Sequence, residues 1–158
     1  MKTRRTLLLS AIALGCAVLT SAPAVEAQPQ VQVQGPQAEV LIILATQCAQ
    51  PSVDPKIGEM PKLGYSCYKV VDTKYLALVK GQSSSAPLPN GRTFQITTND
   101  IIGSDKDKKY KMVASVSQPD GKSFLKLADV TAEPNKRFHV GGFGYQGGAL
   151  VLAIKVVP

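Results

Sequence analysis

Apolar and polar positions alternate along most of this chain with the two-residue period of β-strands, not the 3.6-residue period of a helix. The longest apolar run outside the N-terminus is Val40 to Ala45, inside AEVLIILATQC at 38–48. It is far too short to cross a bilayer, which needs about 20 apolar residues. A short, β-branched-rich run of this kind predicts a strand buried on both faces. Further on, Tyr68 and Val70 share one face opposite Lys69 and Val71, and 75–79 continues as a separate strand after a break at Asp72-Thr73. Phe94, Ile96 and Thr98 line one face of 93–98, and Met112 and Ala114 mark the alternation of 110–116. Segments 124–130 and 137–140 read as a returning strand and a short strand. The chain closes on 149–157 with Leu150, Leu152, Ile154 and Val156 on one face.

The punctuation agrees with this pattern. Asn90-Gly91 is a hairpin signal, because both residues tolerate positive φ, and Pro87 and Pro89 beside it mark an edge. Pro119-Asp120-Gly121 is a turn in which Pro pre-sets φ and Gly accepts it positive. Residues 99–109 read as a polar loop, 81–86 as a serine-rich loop and 141–148 as a glycine-rich loop. Segment 51–64 allows at most one short helix near 54–60, with Asp54 as N-cap and Pro55 at the first position. Gly58 and Pro61 limit its length. About eight strands at a spacing of roughly 8–12 residues predict an all-β fold, a single antiparallel β-sandwich over 38–158. A small β-barrel is the alternative. Val40–Ala45 and Leu150–Val156 are the expected central strands of the sandwich.

The N-terminus belongs outside that fold. Lys2, Arg4 and Arg5 form a basic n-region, 6–19 an apolar core, and Val25-Glu26-Ala27 an A-x-A-like cleavage site. Residues 1–27 thus read as a secretory signal peptide, and 28–37, QPQVQVQGPQ, as a flexible lead-in that could add a short edge strand. Arg4-Arg5 also resembles a twin-arginine signal, although a paired arginine in an ordinary n-region is the simpler reading. Ala13-Leu14-Gly15-Cys16 resembles a lipoprotein signal that would anchor the chain through Cys16, with Ala13 where a Leu is usual. An exported location follows, periplasmic or extracellular, with no transmembrane span in the mature chain.

Removing 27 of the 158 residues leaves 131, enough for one core. Taking Lys2, Arg4, Arg5 and Glu26 from the 18 basic and 11 acidic residues leaves 15 and 10, a net charge of +5. Such mild basicity allows loose attraction to anionic envelope surfaces and gives no footprint for nucleic acid. With Trp absent, stacking platforms for bases are also poorly supplied. Once Cys16 is gone, Cys48 and Cys67 remain, and a pair in an exported chain predicts a disulfide. Two unpaired buried thiols are the alternative.

Several local strings occur in order along the chain. They are Asp54-Pro55, Ser66-Cys67-Tyr68-Lys69-Val70-Val71, Leu88-Pro89-Asn90-Gly91-Arg92, Gln118-Pro119-Asp120-Gly121-Lys122 and Gly147-Gly148-Ala149-Leu150-Val151-Leu152. In them the chain resembles a group of small exported proteins of unknown function from myxobacteria and related deltaproteobacteria. The matching pieces are turns and strand starts, so the resemblance implies a fold and no activity, ligand or cofactor. The cysteine pair lies outside it.

Candidate chemistry is sparse. Gly142, Gly144 and Gly147 match the G-x-G-x-x-G string of dinucleotide sites, but that motif needs a helix to follow, and 149–157 reads as a strand. His139, the lone histidine, shares a face with Arg137 and has no local nucleophile or carboxylate to work with. Ser83-Ser84-Ser85 lacks the setting of a nucleophile elbow. Asp105 and Asp107 alternate like calcium ligands, yet Lys106, Lys108 and Lys109 oppose a divalent cation. With Lys111, these lysines could touch an acidic polymer, or simply keep a loop solvated beside an edge strand. No cofactor, metal or catalytic set is expected. The sequence therefore points to a non-enzymatic exported interaction or accessory module of the cell envelope, with an envelope protein or polymer as partner. The alternative is a small-ligand or glycan binder using loops 81–89 and 141–148, bounded by Gly81, Pro89, Gly141 and Gly148, with Phe143 and Tyr145 as contacts.

Overall fold

A computed structural model describes residues 35–158; the expected signal peptide, Cys16 and most of the lead-in lie outside them. The described chain is all-β, with nine strands. These are β1 (Gln37–Thr46), β2 (Ser52–Val53), β3 (Cys67–Ala77), β4 (Gln82–Pro87), β5 (Thr93–Ile102), β6 (Lys109–Ser117), β7 (Phe124–Ala132), β8 (Arg137–Tyr145) and β9 (Gly148–Val157). They form a β-sandwich of two sheets, one ordered β2-β3-β1-β9-β8 and the other β4-β5-β6-β7. All pairings are antiparallel except the two-residue β2, which runs parallel to the start of β3.

The two strongest apolar runs sit side by side at the centre of the larger sheet, Val40 opposite Ile154 and Ile42 opposite Leu152. Both strands are buried on both faces. Val40, Ile42, Leu150, Leu152, Ile154 and Val156 point into the sandwich, against Phe94, Ile96, Tyr110, Met112, Ala114 and Val116 of the smaller sheet. Leu41, Ile43, Ala45, Val151 and Ala153 point the other way, into a second core closed by Ile57 and Tyr68. Each fully buried Leu, Ile or Phe contributes about 1.5–3 kcal/mol, so the two-sided strands anchor the fold. What closes the second core is segment 49–66, which lies on the sheet as a flap with Ile57 1% exposed.

Where the sequence allowed at most one short helix, near 54–60, the chain makes a single turn, in which Ile57 N–H donates to Asp54 C=O at 3.0 Å and Lys56 N–H to Asp54 Oδ1 at 3.0 Å. Four local readings are corrected. The break at Asp72-Thr73 is a β-bulge inside one continuous strand, since Ile42 faces Asp72 while Ile43 faces Val70. Residues 82–87 of the serine-rich segment are an edge strand, not a loop. Their hydroxyls supply what apolar side chains do not: Ser83 Oγ lies 2.7 Å from Thr97 Oγ1, and Ser84 Oγ donates to Ala77 C=O at 2.6 Å. The polar loop starts only after Ile102. The glycine-rich segment 141–148 is the end of β8, a tight turn at Gln146-Gly147 and the start of β9, with the bulge at Gly142 on a φ of +106°. Asn90-Gly91 and Pro119-Asp120-Gly121 turn the chain as expected, Gly91 N–H donating to Leu88 C=O and Gly121 N–H to Gln118 C=O. Among the described residues no helix is long and apolar enough to cross a membrane.

Candidate functional site

The outer face of the larger sheet carries the most concentrated polar chemistry of the described chain. Strand register alone puts Tyr75, Glu39, Lys155 and Arg137 in one row across β3, β1, β9 and β8. Residues two apart on a strand share a face, so His139 stands in the next row, opposite Ala153 and above Leu41. The flap lies over this face and is tied down at its base and at its tip. At its base Cys48 and Cys67 form a disulfide with a Cα–Cα distance of 5.9 Å. At its tip Arg137 Nη1 donates to Ile57 C=O at 2.7 Å and to Lys56 C=O at 3.1 Å.

Arg137 also donates through Nη2 to Glu39 Oε1 at 2.6 Å, and Lys155 Nζ sits 3.2 Å from Glu39 Oε2. Glu39 and Arg137 are only 16% and 19% exposed, so the pair is shielded from water and from salt. A carboxylate this buried needs a partner for each oxygen, and β9 and, one strand further out, β8 provide one each. Two buried donors or acceptors have no hydrogen-bond partner among the described residues, Arg137 Nε and His139 Nε2. Burial, and secondarily the Arg137 charge, hold the His139 pKa below its ordinary value near 6.5. The imidazole is thus neutral near pH 7, which excludes it as a cationic partner for a carboxylate there.

Two hollows meet at His139. One, of about 560 Å³, is polar-lined and lies between flap residues 57–61 and Asn135, Arg137, His139 and Lys155. The other, of about 150 Å³, lies between Leu63 and Tyr65 of the flap and Val140, Gly141, Ala149 and Val151 of the sheet. Together they form a groove with a cationic end and an apolar end.

The residues favoured on sequence grounds are distributed differently. Phe143 is 9% exposed and packs into the sandwich core, with the Arg92 guanidinium 5.3 Å from its ring centroid. Tyr145 packs against the same core, and its hydroxyl accepts from Gln146 Nε2 at 3.2 Å. Phe143 does help line a hollow of about 400 Å³ at one end of the sandwich, with Arg92, Ser117 and Phe124. Gly142 and Gly144 lie in β8 and a strand follows Gly147, so no phosphate-cradling helix N-terminus exists there. Ser83 and Ser84 stitch β4 to its neighbours. Asp105 pairs with Lys108 at 2.9 Å in an exposed turn, and Lys109 with Glu133 at 3.3 Å. Reading the sequence strand by strand missed Glu39, Lys155, Asn135 and Leu63. A lone charge inside each of two strands with buried faces, opposite in sign, was the available signal for the first two. Compared with family models, with curated proteins and with solved structures, the chain matches none.

Proposed function

We propose that this chain is an exported, non-enzymatic β-sandwich that serves as an interaction or accessory module of the cell envelope. The observation that carries the reading is the open edge of β3. Only Cys67 and Tyr68 of that edge are covered by β2, which carries exposed Val53, and exposed Val71 and Tyr75 stand on β3 beyond it. Tyr75 is 60% exposed, an amphipathic anchor of the kind enriched at protein interfaces. The signal-like N-terminus and the Cys48–Cys67 disulfide support export, because such bonds persist in oxidising compartments. The resemblance to small exported proteins points the same way. The test is cross-linked co-purification from envelope fractions. A saturable partner lost in Tyr75→Ser and retained in Lys126→Ala, on the opposite sheet, supports the module; identical capture by both variants contradicts it.

A glycan-binding reading keeps one specific observation, the end hollow where Arg92, Phe143 and the exposed ring of Phe124 converge. Aromatic and guanidinium faces are suited to sugar rings and hydroxyls. A glycan-array signal abolished by Phe124→Ala would establish it in place of the protein-partner reading.

A further inference from the structure

We propose that the groove between the flap and strands β8 and β9 binds a small amphipathic anion, a compact carboxylate or phosphate head on a short apolar tail. This stands on the groove alone and goes beyond any macromolecular partner. The head end holds two cations, Arg137 and Lys155, against one buried carboxylate, Glu39, whose two oxygens are already shared between them. One positive charge is therefore left over for a ligand. Lys155 is 28% exposed, and with a single ion-pair partner its ammonium keeps further N–H groups for an incoming head. Glu59, on the flap rim, is exposed, and solvent screens its opposition. Arg137 Nε and His139 Nε2 are polar capacity that the described chain leaves unused at the junction, the kind of buried unsatisfied group that calls for a bound partner. Beyond His139 the lining turns apolar, with Leu63, Tyr65 and Val151 around about 150 Å³, room for a short chain and not for a long one. A polar head site and a small apolar slot that adjoin at His139 select amphiphiles over either half alone.

The test is NMR titration of the mature, disulfide-bonded protein with hexanoate, hexyl phosphate, hexylammonium and hexanol. Saturable shifts of amides in 57–65 and 137–142 are expected with the two anions, at least tenfold tighter than with hexylammonium or hexanol. The stronger of hexanoate and hexyl phosphate identifies the head. Lys155→Met should weaken anion binding at least tenfold, and Leu63→Asp, at a half-exposed site that the fold tolerates, should do the same by spoiling the tail slot. Equal binding of hexanol, shifts elsewhere, no saturation, or a Leu63→Asp protein that binds hexanoate and hexyl phosphate unchanged would overturn the proposal.

Discussion

Glu39 and Arg137 lie 98 residues apart in sequence, and their side chains meet at 2.6 Å on the outer face of the larger sheet. The same guanidinium holds two carbonyls of the flap, so one side chain couples β1, β8 and segment 49–66. Replacing it removes the flap clamp and leaves Glu39 with Lys155 alone. Arg137→Met should cost about 2–3 kcal/mol by urea denaturation, somewhat less than the 3–5 kcal/mol typical of breaking a fully buried pair. It should also open the flap to limited proteolysis near 56–62. A change below about 0.5 kcal/mol would show the contact to be a passive surface pair.

The disulfide acts on the same segment from its other end. It closes a loop with a sequence separation of 19, and such a bridge contributes about 3 kcal/mol, largely through the unfolded chain. A Cys48→Ala, Cys67→Ala double variant should lose about that much in a chemical melt. Because the inner core packs β1 and β9 against the smaller sheet without the bridge, and Arg137 still holds the flap tip, it should still fold.

His139 gives stability a pH dependence whose sign is fixed by burial. Its folded-state pKa lies below the unfolded value near 6.5, so the unfolded chain binds the proton more readily. The stability linked to the neutral ring is complete above pH 6.5 and is lost as pH falls from there toward the folded pKa. Arg137, two residues away on the same strand, adds to the penalty for charging the ring, while Lys155 of β9 and Glu59 of the flap line the same hollow with opposite charges. Melting temperatures measured from pH 7.5 down to pH 5 should fall faster in the wild type than in His139→Gln. Parallel curves would remove His139 as the cause.

Gly148 sits where β9 starts beside β1. A Cβ built there would lie 2.2 Å from Ala45 C=O and 2.8 Å from Thr46 Cγ2, both on the central strand. Backbone cannot yield as a flexible side chain can, so Gly148→Ala should cost more than about 2 kcal/mol in a thermal or urea melt. Gly144→Ala, with open space around it, should be close to neutral and serves as the control.

How much of this was legible in the sequence follows from what each residue had to do. Val40–Ala45 and Leu150–Val156 announced themselves as central strands because burial on both faces demands apolar side chains at consecutive positions. The β4 strand was hidden because Ser83 and Ser84 hold their places by hydroxyl hydrogen bonds, which carry no hydrophobic period. The second half of β8, beyond Val140, was hidden because its glycines relieve crowding and form a bulge inside a strand, while glycine in sequence signals a loop. The cysteine pair was legible from count and compartment. The groove was not, since its residues come from 39, 57–65, 135–142 and 155, and only strand register brings them together. Phe143 looked like a binding aromatic and is instead part of the core, because the bulge at Gly142 turns it inward.

The measurement that tests the account most directly is the intact mass of the native protein recovered from envelope and extracellular fractions, taken before and after alkylation under non-reducing denaturation. An exported module predicts a chain beginning at Gln28 whose mass does not change on alkylation, with Cys48 and Cys67 joined. A full-length chain confined to the cytoplasm, with both thiols alkylated, would contradict it.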